Sequence, residues 1–158
     1  MQDKEKYMRE AIKLAKKAES LGEVPIGAVI VYDGKIIGRG YNKRKKTEKT
    51  AAHAEMIAIN QANKYIGSWR LEDCDIYVTL EPCPMCSGAI FQARMRKIYY
   101  GADDPKAGAI ESKYNLFDVE GLNHYCEYEG HILEDECSEL LKSFFKNLRI
   151  RNQKESAV

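Results

Sequence analysis

Four residues in this chain have the types and spacing of a metal-centred hydrolytic site. Ala52-His53-Ala54-Glu55 and Glu81-Pro82-Cys83-Pro84-Met85-Cys86 lie about thirty residues apart. One imidazole and two thiolates form a natural ligand set for zinc. Cys83 and Cys86 are three apart, about 300° around a helix, and so share a face. A helix N-terminus at that point lowers a thiol's pKa and favours the metal-binding thiolate. Pro82 suits a helix start, where the first N–H groups have no intrahelical partner. His53 and Glu55 are two apart, about 200° around a helix, and would diverge in mid-helix. In a first turn both lean toward the N-terminus and can reach a site beyond it. The spacing therefore demands a metal lying over the helix start. Three protein ligands leave a fourth tetrahedral position for water, whose pKa zinc lowers to about 7. Glu55 is then placed to move protons, a contribution of roughly 10²–10⁴ in rate.

Taken singly, these residues have other readings. A Cys-x-x-Cys pair also occurs in redox proteins and zinc ribbons, but Cys74, Cys126 and Cys137 are too scattered to form a ribbon's second pair. A redox site has no need of His-x-Glu upstream. Together, the four residues resemble the His-x-Glu…Pro-Cys-x-x-Cys signature of zinc nucleobase deaminases.

The surrounding elements can be read from periodicity. Tyr7, Met8, Ala11, Ile12, Ala15 and Ala18 form one face of a helix over 3–21, ended by Gly22. Asp33-Gly34 between two β-rich runs predicts a hairpin. A helix over 53–65 ends at Gly67-Ser68, and Asp75–Leu80 is a buried strand. A helix from Cys83 to Arg94 and a strand at Lys97–Tyr100 complete a parallel strand–helix–strand unit. The segment 101–115 has loop composition, Tyr125–Glu129 alternates weakly as a last strand, and Glu134–Arg149 is a final helix with Leu140, Leu141, Phe144, Phe145 and Leu148 inward. These elements make an α/β fold, a three-layer α/β/α arrangement with a mixed sheet.

Composition bounds the rest. The 158 residues suit one domain, with 150–158 expected to fray as a basic tail. Hydrophobic residues make up 44% and charged residues 31%, a globular balance. No apolar run approaches the roughly 20 residues of a membrane span, so no membrane partner is expected. The beginning MQDKEKYMRE lacks a signal-peptide core, and the expected location is cytoplasmic. Five cysteines, an odd number, argue against a disulfide framework. Net charge is only +1, but Lys43–Lys49 and the segment from Lys142 are locally basic; such patches are either solvated faces or phosphate contacts.

Beyond the zinc motifs, several segments resemble the bacterial tRNA-specific adenosine deaminases of the cytidine-deaminase-like superfamily. They are Gly22–Ala28, Asn42-Lys43-Arg44, Gly67–Leu71, Gly101–Lys106, Leu122-Asn123-His124 and Leu140–Phe145, so the resemblance runs from about Glu5 to Arg149. It implies a five-stranded sheet, one Zn2+ per subunit held by His53, Cys83 and Cys86, and Glu55 as the catalytic proton carrier. It implies conversion of adenosine to inosine at the wobble position of a tRNA anticodon, by attack of zinc-activated water on C6 with loss of ammonia. It further implies a homodimer, with RNA touching both subunits near each site. By the same resemblance Asn42 contacts the target nucleotide, while Val24, Pro25 and Ile26 shape the base pocket. Backbone groups of Ala54 and Glu81 lie near the reacting centre. Asp103, Asp104, Lys106 and Asn123 follow the anticodon loop, and Arg44, Arg70, Phe145 and Arg149 are further RNA contacts. An anticodon loop offers unstacked bases that enter a pocket cheaply. Phe145 serves equally as a core residue. The chain departs from the family pattern at Ala109-Ile110-Glu111-Ser112-Lys113, where a Gly-rich form is expected, and at Lys45-Lys46.

Two competing readings remain at this level. One is a deaminase of free guanine, cytosine or a nucleoside, since Pro84-Met85 also suits guanine deaminases. The other is a zinc-stabilised RNA-binding subunit without activity, against which Glu55 argues.

Overall fold

A computed structural model of the chain describes residues 3–156. Its elements are α1 (Asp3–Ser20), β1 (Gly27–Tyr32), β2 (Lys35–Tyr41), the single turn α2 (Arg44–Thr47), α3 (Ala54–Ile66), β3 (Cys74–Leu80), α4 (Pro84–Gln92), β4 (Lys97–Ala102), a 3-10 turn (Leu116–Asp118), β5 (Glu127–Glu129) and α5 (Glu134–Ser156). The sheet order is β2-β1-β3-β4-β5. β1 is antiparallel to both β2 and β3, whereas β3–β4 and β4–β5 are parallel.

The side-chain period of two in β1 divides the core between the sheet's faces. Ala28 and Ile30 join Ile76, Val78, Ile98 and Tyr100 beneath Ala54, Ala58, Ala62 and Ile90 of α3 and α4. Val29 and Val31 join Tyr77 beneath Tyr7, Met8, Ala11 and Ile12 of α1, together with Cys137 of α5. Three layers result, as the periodicity predicts. The hairpin turn also forms as predicted, with Asp33 and Gly34 both at positive φ (49° and 74°).

Close helix–sheet contact explains two glycines. A Cβ on Gly27 would lie 2.6 Å from Ala15 N and overlap Ala11 O of α1. A Cβ on Gly101 would lie 2.8 Å from Cys137 Cβ, so α5 meets the sheet at its own beginning.

The last helix differs from its prediction. Residues 150–156, expected to fray, continue α5 without a break, because no Gly or Pro interrupts good helix formers there. Residues 157 and 158 lie outside the described residues. The inward face is also thinner than predicted. In α5 only Cys137 is buried, Leu140, Leu141, Phe144 and Leu148 are half-buried, and Phe145 is 41% exposed. Leu140 and Leu141 pack against the core under α1, whereas Phe145 and Leu148 of the outer half line a cavity beside Leu80 and Asp103, at the ends of β3 and β4. The last strand is only three residues long, and the basic run after Asn42 forms the turn α2.

Candidate active site

The two motifs converge at two helix starts. His53 is the N-cap of α3, with extended backbone (φ −82°, ψ 151°), and Glu55 lies in that helix's first turn. Cys83 is the N-cap of α4 (φ −73°, ψ 173°), and Cys86 follows in the first turn. The prediction started α4 one residue early; Pro84, not Pro82, takes the first helical position, where its fixed φ is pre-organised. Neither side chain makes a capping hydrogen bond, so both turn toward the shared cluster.

His53 Nδ1 lies 3.7 Å from Cys83 Sγ and 3.5 Å from Cys86 Sγ. All three donor atoms fall within 4.8 Å of one another. Zinc bonds of about 2.3 Å to sulfur and about 2.05 Å to nitrogen, at a tetrahedral angle, place S and N about 3.6 Å apart. The donor types and spacings thus fit one tetrahedral metal ion. A hydrogen bond from the Cys86 thiol lowers the Cys83 thiol to about 4 despite its burial, and the same bond, with burial, pushes Cys86 up. Cys83 is therefore a ready thiolate ligand. The hydrogen bond to Cys83 also raises His53.

Glu55 is buried, and that burial pushes its carboxyl up to about 7, with the Cys83 charge adding to the effect. A carboxyl poised near neutrality can both accept and give a proton.

A cavity of about 760 Å³ opens above these groups. Val24, Ile26, Asn42, Arg44, Ala54, Asp103, Asp104, Lys106, Phe145 and Arg149 line it beside His53 and Glu55. Sequence reasoning missed Leu80, Pro105, Ala107, Leu141, Lys142, Leu148 and Asn152, which line it too. Leu141, Phe145, Leu148 and Asn152 form one helical stripe; the sequence pattern assigns Leu141 and Leu148 to the core face, and only Asn152 lies beyond the expected end of α5 at Arg149.

Pro25, Arg70, Asn123 and the Glu81 side chain do not join the cavity lining. Pro25 is buried behind the pocket loop. Arg70 lies over the Trp69 ring, 4.8 Å from its centroid, and pairs with Glu72 at 2.9 Å. Asn123 is exposed. The Glu81 side chain turns toward the loop 103–112, where Asp104 N and Ile110 N donate to it at 3.0 and 3.1 Å.

A third buried carboxylate, Glu23, escaped sequence reasoning. It accepts the N–H groups of Lys45 at 3.1 Å and Lys46 at 2.6 Å. That fixes the turn α2 beside Asn42 and gives the departure Lys45-Lys46 a backbone role whatever its side chains do.

Comparison with known proteins agrees with this geometry. A family model described as MafB19-like deaminase matches residues 2–149. The tRNA-specific adenosine deaminase of Bacillus subtilis (strain 168) is 51% identical over 149 residues, 94% of this chain and 92% of that protein. The chain belongs to the MafB19-like deaminase family, among its tRNA-specific adenosine deaminases. A solved structure from studies of A-to-I editing by tRNA:A34 deaminases is similar to this deaminase at a TM-score of 0.82 and 43% identity, covering 85% of this chain and 98% of the other. The guanine deaminase of Bacillus subtilis is also similar, at a TM-score of 0.63 and 37% identity over 78% of this chain and 82% of its own. The mixed five-stranded sheet of the deaminase is of the cytidine-deaminase-like kind.

Proposed function

We propose that this chain converts adenosine to inosine at the wobble position of a tRNA anticodon, with one zinc ion held by His53, Cys83 and Cys86. The observation that carries the reading is the buried Glu55 carboxyl beside the three-ligand cluster, at the floor of a cavity wide enough for a nucleoside. Similarity to tRNA-specific adenosine deaminases over nearly the whole chain supports the substrate.

Zinc, when bound, supplies Lewis acidity that makes water nucleophilic near neutral pH. Glu55 accepts the proton that the attacking water loses. It passes that proton to N1 of the ring as the water oxygen bonds to C6. The remaining hydroxyl proton goes through Glu55 to the amino nitrogen, the C6–N bond breaks, and adenosine plus water has become inosine plus ammonia. Val24 and Ile26 wall the base, Asn42 contacts the nucleotide, and Ala54 offers backbone groups near the reacting carbon. Asp103, Asp104 and Lys106 border the flanking nucleotides, while Arg44, Phe145 and Arg149 meet the RNA at the mouth.

Arg70 and Asn123 lie outside the chain's own cavity, and Tyr65, Trp69 and Tyr125 are large exposed aromatics of the kind found at interfaces. Both facts support a homodimer in which these residues serve the neighbouring site. The proposed place of work is the cytoplasm, where tRNA is processed; no described helix is long and apolar enough to cross a membrane.

The deciding experiment incubates the purified, zinc-loaded protein with an anticodon stem-loop bearing adenosine at the wobble position, beside free guanine and cytosine. Inosine in the stem-loop is the expected result. Turnover of guanine alone would favour the second reading, which the similarity to a guanine deaminase keeps in view.

A further inference from the structure

Among the buried acids, Glu55 carries the chemistry, whereas Glu81 is 1% exposed and forms no ion pair among the described residues. Its two oxygens divide one loop between them. Oε1 accepts the N–H of Asp104 at 3.0 Å and the hydroxyl of Ser112. Oε2 accepts the N–H groups of Ile110, Glu111 and Ser112 at 3.1, 2.8 and 2.9 Å. Both ends of the segment 104–112 thus hang on one carboxylate, and the stretch between them presents Pro105, Lys106 and Ala107 to the cavity.

The rest of the segment is shaped to this hub. A Cβ on Gly108 would overlap the Glu81 carboxylate and stand 2.6 Å from Asp104 O. Ala109 N donates to Pro82 O at 2.8 Å, and Tyr100 donates its hydroxyl to Glu111 at 2.6 Å. The departure at Glu111-Ser112 therefore supplies two side-chain ties that a Gly-rich segment lacks. A buried anion satisfied only by N–H and O–H dipoles holds backbone geometry firmly, because charge-assisted bonds are strong and the carboxylate would otherwise be buried without partners.

We propose that Glu81 is a positioning residue for the RNA substrate, acting as a two-handed clasp that keeps the cavity-wall loop 103–112 in its binding shape. This rests on the tRNA reading given above. The chemistry of the clasp makes a sharp distinction between carboxylate and amide. A glutamine offers one oxygen, and its NH2 would face donors, so Glu81→Gln can hold only one end of the loop.

The test measures steady-state kinetics on the anticodon stem-loop, zinc per chain, and amide hydrogen exchange for the wild type, Glu81→Gln and Ser112→Ala. Ser112→Ala removes a donor without touching the strand that leads to Cys83. In Glu81→Gln we expect faster exchange at Asp104 or at Ile110–Ser112, a KM raised about tenfold, and kcat within about twofold of wild type. Zinc content stays unchanged, and Ser112→Ala shifts KM the same way by less. An unchanged KM in both variants overturns the proposal, as does zinc lost in step with activity in both. A wild-type protein inert on the stem-loop would instead overturn the tRNA reading, while the exchange data would still report on the clasp.

Discussion

His131 Nε2 lies 3.0 Å from a carboxylate oxygen of Asp103, tying the turn before α5 to the loop that walls the cavity. The hydrogen bond to Asp103 raises the imidazole above its ordinary value of 6.5, and Glu134 and Glu111 add to that effect. A raised folded-state pKa means the pair stabilises the fold fully below the unfolded value. That contribution fades as pH rises through the raised value. NMR titration of His131 should give a midpoint above 6.5, and Asp103→Asn should bring it back down. Both groups are about half exposed, so the effect on global stability should be slight.

Glu55→Gln should lower inosine formation by at least about 10²-fold, because the amide cannot shuttle protons. The three ligands are untouched, so zinc per chain, measured by atomic emission, should equal that of the wild type. A Gln variant with full activity would remove Glu55 from the mechanism.

Cys86→Ala should abolish both metal binding and turnover. The thiol it removes is fully buried against its partners. Chelation of the wild type should lower the melting temperature reversibly, since metal that binds only the native state stabilises it by mass action. Recovery of activity on adding zinc, and not magnesium, checks the assignment.

Arg149→Ala should weaken stem-loop binding and reduce the slope of log K against log salt by about 1. Arg149 lines the cavity with Arg44, Lys106 and Lys142. None of the four takes part in an ion pair among the described residues. Affinity measured across a salt series distinguishes a phosphate contact from simple packing, which would leave the slope unchanged.

Gly27→Ala should destabilise the fold by about 1–3 kcal/mol, the usual cost of forcing an extra carbon into a packed interface. The new methyl would press on the α1 backbone at Ala11 and Ala15. Urea unfolding should show a lower midpoint with the same slope.

What the sequence made legible was local. The two β-rich runs on either side of Asp33-Gly34 announce the hairpin of β1 and β2, which forms with that turn. The spacings His53-x-Glu55 and Cys83-x-x-Cys86 required two helix starts facing one point, which the structure places as predicted. Less legible were features set by distant partners. Glu81 bonds residues up to 31 positions away, and nothing in Glu81-Pro82-Cys83 signals that its side chain, and not its backbone, organises the neighbouring loop. Glu23 likewise finds its donors 22 and 23 residues on. The continuation of α5 past Arg149 was obscured because its polar turns look like a tail when read without the cavity they border.

The outer half of α5 has the mechanics of a lever arm. Its fulcrum is the contact of Cys137 with Gly101 and the core packing of Leu140 and Leu141, and its load end carries Phe145, Arg149 and Asn152 along the cavity. At 1.5 Å per residue the arm from Leu141 to Asn152 is about 16 Å long, so a tilt of about 5° at the fulcrum moves its end by about 1.4 Å. The proposed metal ligands sit at the starts of α3 and α4, across the sheet from that fulcrum. Substitutions near Cys137 could therefore tune the width of the mouth while leaving the reacting centre as it is.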